Sequence, residues 1–163
     1  ELEYLQLGWR PPEGGWSIGQ VFEHLILTDT PYLETMQRAL VGAKHGGGAW
    51  QPSFMGGMII RAVDPGTARK SKAFKKHQPG PQPRANVIDE YLARREQLTD
   101  LIGAARGVDL RAVRMRSPII GLVRLNLGDA IQIMVSHTRR HLQQIERLRQ
   151  HPDFPSTTSP SPS

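Results

Sequence analysis

Three segments of the chain repeat their apolar residues every three or four positions, as the buried face of an α-helix does. They span about residues 17–44, 85–106 and 126–150. The apolar positions of the first are Ile18, Val21, Phe22, Leu25, Ile26, Tyr32, Leu33, Met36, Leu40 and Val41. The best candidate for a strand, residues 119–127, is short and is broken by Gly121. The pattern therefore predicts an all-α fold.

The first of these helices carries a start signal and an internal interruption. Ser17 and Gln20 have the Ser-x-x-Gln spacing of a capping box, in which each side chain binds the backbone N–H of the other residue. Pro31 lacks a backbone N–H. We therefore expect either a kink near residues 29 and 30 or a new helix that Thr30 caps.

Three long helices leave one side of a bundle open, so the pattern favours a fourth helix. We expect residues 1–7 to be the end of that helix, and residues 58–63 to add a short one. Residues 1–151 are assigned to one four-helix bundle, into which a basic loop at 61–84 is inserted. Residues 152–163 are rich in Pro and Ser and are predicted to form a disordered tail.

The basic loop at 61–84 accounts for the whole net charge of +6. Its only acidic residue is Asp64, and its basic residues are Arg61, Arg69, Lys70, Lys72, Lys75, Lys76 and Arg84. Such a loop is able to bind a phosphate, an acidic substrate or nucleic acid, or it is simply a solvated surface. Its single aromatic residue, Phe74, offers little stacking surface to a single strand, so nucleic acid ranks last among its partners.

The composition excludes several kinds of site. The chain has no cysteine, so disulfides, thiolate metal ligands and a cysteine nucleophile are excluded. It has no run of about 18 apolar residues that would span a membrane. Its first residues lack the basic start and apolar middle of a signal peptide. These features predict a cytoplasmic protein without a membrane partner.

Histidines lie on the apolar stripes of two of the predicted helices. His137 and His141 project from one face of the last helix, because residues i and i+4 are neighbours there. They either bind one metal ion together or are hydrogen-bonded core histidines. Thr138 stands where the zinc metalloprotease motif has its glutamate, so that motif is absent. His24, two turns into the first helix, is the natural third ligand, since bundles build metal sites between facing helices.

Four further residues lie one turn from one of these histidines: Gln20, Thr28, Met134 and Gln144. They are candidates for lining a pocket or for orienting the ligands, with ordinary helix positions as the alternative. The remaining histidines lack such a context, and we expect ordinary roles for His45, His77 and His151. Imidazole suits zinc, nickel and iron alike, so the sequence predicts a divalent ion without naming it.

Two stretches of the chain together resemble the DinB-like (DinB/YfiT) superfamily: GWSIGQVFEHL at 15–25 and LGDAIQIMVSHTRRHLQQIERL at 127–148. The shared pattern is Trp-Ser at a helix start, a histidine some seven residues on, and a last helix with His-x-x-x-His followed by Gln. The matching positions here are Trp16, Ser17, His24, His137, His141 and Gln144 or Gln143. The resemblance covers nearly the whole chain outside the predicted tail.

The resemblance implies a four-helix bundle, often dimeric, with a site for a divalent metal at His24, His137 and His141. Some members are transferases or isomerases that use low-molecular-weight thiols, so the resemblance also implies a small-molecule substrate. Two features depart from the pattern. The first helix is mostly missing here, and the loop at 61–84 is more basic and richer in proline than the pattern requires.

Three functions remain open on the sequence alone. The first is a metal-dependent enzyme that acts on a small molecule, either as a thiol-dependent transferase or as a hydrolase. The second is a non-catalytic metal-binding bundle for stress response or interaction, whose site would be closed by a fourth protein ligand or would lack a pocket beside the metal. The third is nucleic-acid binding through the loop at 61–84.

Overall fold

The computed structural model describes residues 4–67 and 73–156. Its α-helices are α1 (Tyr4–Gly8), α2 (Ile18–Leu40), α3 (Phe54–Val63), α4 (Val87–Ala104) and α5 (Leu127–Arg149). A single 3₁₀ turn covers Lys75–His77, and two strands, β1 (Arg114–Arg116) and β2 (Arg124–Asn126), pair antiparallel. The predicted all-α bundle is confirmed, with four main helices packed together.

The central helix of the bundle is α2, which packs against both α4 and α5, while α3 packs against the other side of α5. One apolar cluster joins these helices to the hairpin, and its fully buried members include Met36, Leu125, Leu127 and Met134. A second cluster lies towards the start of α2 and the end of α5, around Ile18, Val21 and Ile145. The candidate histidines lie between the two clusters.

The start of α2 is the capping box that the sequence predicts. The Ser17 hydroxyl accepts a hydrogen bond from the Gln20 backbone N–H at 3.2 Å, and the Gln20 side chain accepts one from the Ser17 backbone N–H at 3.1 Å. The helix then runs without a break through Pro31 to Leu40. A new helix at Thr30 is therefore not formed, and the Thr30 hydroxyl donates to the Ile26 carbonyl instead.

The fourth main helix among the described residues is α3, and the segment predicted to end a helix at residues 1–7 is helical in its described part. The described part of residues 1–7 forms only the short α1, which packs against α2. The helix predicted at 58–63 begins four residues earlier, at Phe54, because Ser53 caps it. Gly56 lets α3 approach α5 closely, since a Cβ atom there would overlap the Asp129 carboxylate.

The strand candidate at 119–127 contains only β2, and its partner β1 lies before it. Ser117 and Val123 close the connecting loop through a backbone hydrogen bond of 2.8 Å. The pairing is three residues long on each strand, which is too short for an alternating pattern to be recognised.

The predicted tail and the basic loop are described only in part. Residues 152–156 follow α5, and Phe154 packs edge-on against Trp9 with ring centroids 5.4 Å apart. Residues 157–163 of the tail and 68–72 of the loop lie outside the described residues. Within the described part of the chain, no helix is both long and apolar enough to cross a membrane.

Candidate metal centre

Three imidazole nitrogens converge between α2 and α5. The Nε2 atom of His137 lies 3.3 Å from Nε2 of His24 and 3.1 Å from Nε2 of His141. All three histidines offer a ligand atom within 4.8 Å of the others. His24 and His141 are buried and His137 is partly buried. The structure thus brings together the three histidines that the sequence singles out.

The helices place these side chains by simple geometry. The cap at Ser17 fixes where α2 begins, and His24 lies two turns further on the face that packs against α5. On α5, the four-residue spacing directs His137 and His141 to the same side. Asn126 and Asp129 form a second capping box that fixes the start of α5. Each of the two helices that carry the histidines thus begins at a capping box.

Two of the three rings are held by hydrogen bonds on their outer nitrogens. Nδ1 of His24 lies 2.7 Å from the His77 carbonyl oxygen, to which it must donate because a carbonyl only accepts. Nδ1 of His141 lies 3.0 Å from Oε1 of Gln144 and donates to it. In the neutral rings, Nε2 of His24 and of His141 therefore carries a lone pair that points to the centre of the cluster.

The protons and lone pairs at the centre of the cluster decide whether a metal ion fits there. Only His137 is able to offer a proton at the centre, and it is able to satisfy one of its two neighbours. Without a cation, at least one lone pair remains unsatisfied inside the cluster. Three nitrogens bound to one tetrahedral zinc ion at 2.0–2.1 Å lie about 3.3 Å apart, which matches the observed spacing. The donor set and its spacing fit a divalent ion.

The surroundings keep the three imidazoles neutral. Burial lowers the pKa of His24 and of His137, and it lowers the pKa of His141 to about 4. The nearby Arg140 lowers the pKa of each of them further, because its positive charge disfavours a second positive charge on the imidazole. A neutral imidazole is the form that binds a metal ion, so the site is prepared for binding at neutral pH.

The lowered pKa values predict how the metal-free protein responds to acid. The unfolded chain binds protons on these histidines as the pH falls below 6.5, while folded His141 stays neutral down to about pH 4. The free energy of unfolding is therefore expected to fall over this window, by about 3 kcal/mol for His141. Urea titrations of chelator-treated protein at several pH values measure this change.

This measurement needs a comparison variant, because another buried group changes the free energy of unfolding with pH in the opposite direction. Burial raises the pKa of Asp29 to about 7, although Arg95 beside it lowers the value, so Asp29 contributes stability that is lost as the pH rises. Subtracting the free energy of unfolding of His141→Gln from that of the wild type at each pH removes the contribution of Asp29. A difference that stays constant from pH 4 to 6.5 would contradict the lowered pKa of His141.

An aromatic residue covers one side of the cluster. The Trp16 ring lies 4.8 Å from the His24 ring and is stacked on His141 at 6.4 Å, measured between centroids. This contact explains why a tryptophan directly precedes the helix cap in the sequence pattern. It also shields two of the three imidazoles from water, which strengthens their interaction with a bound cation.

Of the four residues predicted around the ligands, Gln144 alone hydrogen-bonds to an imidazole of the cluster within the described residues. Gln20 completes the helix cap and donates to the Gly80 carbonyl at 2.6 Å. The Thr28 hydroxyl donates to backbone carbonyls of its own helix. Met134 is buried in the apolar cluster around Leu125 and Leu127. The functional roles of these four residues stay predictions.

The segment from His77 to Arg84 contributes to the site in a way that the sequence did not indicate. We expected an ordinary role for His77, and its carbonyl orients His24. Glu23, the residue before His24, accepts hydrogen bonds from the Gly80 N–H at 3.3 Å and from Arg84 at 3.1 Å. Part of the basic loop is thus folded against α2 beside the cluster. A backbone carbonyl leaves no signal in a sequence, so only the structure reveals it.

A surface groove of about 510 Å³ lies elsewhere, along the start of α3. Pro52, Phe54, Met58 and Arg61 are among the residues that line it, and none of the three histidines is. We therefore do not assign the chemistry to this groove.

The fold and the cluster define a class of protein: a bundle of four main helices with a buried three-histidine cluster between two of them. A family model for the DinB superfamily matches residues 2–145, and the chain belongs to that superfamily. Comparison with curated proteins and with solved structures finds no significant match to the chain.

Proposed function

We propose that this protein is a metal-dependent enzyme that acts on a small molecule. The convergence of three neutral imidazoles carries the proposal: Nε2 of His137 lies 3.1 and 3.3 Å from Nε2 of His141 and His24, and the ligand atoms of all three lie within 4.8 Å of one another. Within the described residues, no Asp, Glu or fourth His joins the cluster as a further ligand. Three protein ligands with an open position are typical of catalytic rather than structural zinc sites.

His24, His137 and His141 would hold the ion, and the His77 carbonyl and Gln144 would orient two of them. A divalent ion at such a site supplies a Lewis acid that lowers the pKa of a bound water or thiol. The chain has no cysteine, so a thiol must arrive as a cosubstrate. We propose a thiol-dependent transferase as the first reaction class and a hydrolase as the second.

The experiment that tests this proposal uses cobalt as a spectroscopic probe. Purified protein is treated with chelator, loaded with Co²⁺ and titrated with a low-molecular-weight thiol. A transferase is expected to develop a thiolate-to-cobalt charge-transfer band, and to consume the thiol together with an added electrophile. A hydrolase is expected to show no such band and to cleave activated esters.

One control and two possible outcomes decide how this experiment is interpreted. Chelator-treated protein is expected to lose the activity and to regain it when the ion is returned. Wild-type protein that retains no divalent ion after loading would rule out the proposal. Protein that binds the ion but turns over neither kind of substrate would favour the non-catalytic metal-binding bundle.

The described residues bear on the two alternatives. A non-catalytic site closed by a fourth protein ligand is not supported, because the described part of the chain supplies none to the cluster. Nucleic-acid binding needs free positive charge on the loop at 61–84. Of the basic residues of this loop, Arg84 is paired with Glu23 at 3.1 Å and with Glu90 at 2.7 Å, whereas Lys75 and Lys76 are exposed. The histidine cluster supports metal binding in the enzyme and in the non-catalytic bundle alike, and turnover in the experiment above distinguishes the two.

The proposal includes a homodimer, which superfamily membership suggests. The solvent-facing side of α3 supports it, because Phe54 and Met58 are 82% and 51% exposed. Contiguous exposed apolar side chains commonly mark contact surfaces. Sedimentation velocity is expected to give a species of twice 18.2 kDa.

A further inference from the structure

A polar chain that starts at a buried carboxylate crosses three helices beside the histidines. Asp29 on α2 is 1% exposed and forms an ion pair with Arg95 on α4. The other terminal nitrogen of Arg95, Nη1, donates to the hydroxyl of Thr138 on α5 at 3.0 Å. The Arg95 guanidinium also lies 5.2 Å from the centre of the Tyr91 ring. The carboxylate and the aromatic ring hold Arg95 in one orientation. In that orientation, its guanidinium donates the hydrogen bond to Thr138.

Thr138 is the residue directly after His137, and His137 is the least constrained of the three rings. Nδ1 of His24 is fixed by the His77 carbonyl and Nδ1 of His141 by Gln144. Within the described residues, no hydrogen bond fixes Nδ1 of His137. Its position therefore depends on where α5 lies at this turn. The hydrogen bond from Arg95 to Thr138 is a direct polar constraint on that part of α5.

We propose that Arg95 and Thr138 are positioning residues for the metal centre, and that Asp29 holds Arg95 for this task. The three rings are then oriented by three different devices: a backbone carbonyl, a glutamine and an arginine fixed by a carboxylate. This inference rests on the proposed metal site but not on any particular reaction. Partners that orient metal ligands typically change metal affinity by about 10- to 100-fold when they are removed.

A buried ion pair between helices could also be a lock that only stabilises the fold, and the chain offers a matched control for that role. Arg94, the neighbour of Arg95, donates to the Thr30 hydroxyl on α2 at 3.1 Å. This contact likewise joins an arginine of α4 to a threonine of another helix, and both threonines are partly buried. Thr30 is six residues from His24, whereas Thr138 adjoins His137.

The test compares Thr138→Val with Thr30→Val, because valine keeps the shape of threonine and removes its hydroxyl. Each variant is titrated with Co²⁺, and the affinity, the visible ligand-field spectrum and the melting temperature of the metal-free protein are measured. We expect Thr138→Val to bind Co²⁺ about tenfold more weakly, with an altered spectrum. Thr30→Val is expected to match the wild type in both, and Thr138→Ser to restore them.

The outcomes separate this inference from the metal site itself. If the wild type binds no Co²⁺, the metal site and the inference both fail. If the wild type binds Co²⁺ and Thr138→Val has the same affinity and spectrum, the metal site stands and the positioning role is wrong. A lower melting temperature of Thr138→Val with unchanged affinity and spectrum would show that the contact is only a structural lock.

Discussion

Replacing His137 with alanine is expected to lower the affinity for a divalent ion by on the order of a hundredfold or more. Its Nε2 atom lies 3.1 and 3.3 Å from those of His141 and His24, so its loss removes one of three ligands. Removing a partner that only orients a ligand already costs about 10- to 100-fold. Competition with a chelator of known affinity measures the change, and metal analysis after gel filtration gives the occupancy.

Other histidines of the chain provide the controls for this prediction. His45→Ala removes an exposed imidazole outside the cluster and is expected to keep the wild-type affinity. His77→Ala is expected to have a small effect, because the backbone carbonyl of residue 77 remains to hold His24. A His137→Ala variant that folds and binds the ion as tightly as His45→Ala would show that the ion binds elsewhere.

The parts of the site that the sequence predicted correctly are those that depend on local spacing. The capping box at Ser17 and Gln20, and the four-residue spacing of His137 and His141, are both properties of a single helix. Pairing His24 with them needed only the expectation that α2 and α5 are neighbours in a bundle. Local helix geometry therefore carried most of the prediction of the cluster.

The parts that were missed depend on contacts between distant segments. His77 reaches His24 through its backbone, from a segment rich in proline and glycine that has no helical period. Arg95 meets Asp29 and Thr138 only because three helices pack together, and nothing in its own helix distinguishes it from Arg94. The start of α3 was placed four residues too late, since its cap at Ser53 depends on Asp129 far along the chain. Such long-range polar contacts leave no periodic signal.

Replacing Asp129 with alanine is expected to destabilise the fold by about 3 kcal/mol. Asp129 is fully buried, and its carboxylate accepts hydrogen bonds from the Ser53 N–H at 2.9 Å, the Ser53 hydroxyl at 2.6 Å and the Asn126 N–H at 3.0 Å. Alanine would leave two backbone donors without their partner, at about 1–3 kcal/mol each, and would open the capping box of α5. Urea denaturation of the metal-free protein measures the loss.

A carboxylate in a similar role on the surface provides the control. Asp109 accepts hydrogen bonds from the N–H groups of Arg111 and Ala112 at 3.0 and 3.1 Å, but these contacts are exposed. Asp109→Ala is therefore expected to cost less than about 1 kcal/mol, because water replaces the lost acceptor. Equal losses in the two variants would contradict the role of burial.

Asp129→Ala also tests whether the metal centre depends on the anchoring of α3. Asp129 precedes His137 by eight residues, which is about 12 Å along a helix. At a temperature where Asp129→Ala stays folded, amide exchange in residues 54–63 is expected to accelerate, because their anchor to α5 is lost. The affinity for Co²⁺ is expected to change little, since α2 and α5 still face each other around the histidines. Loss of metal binding from the folded variant would mean that α3 and its anchor are needed to hold His137 and His141 in place.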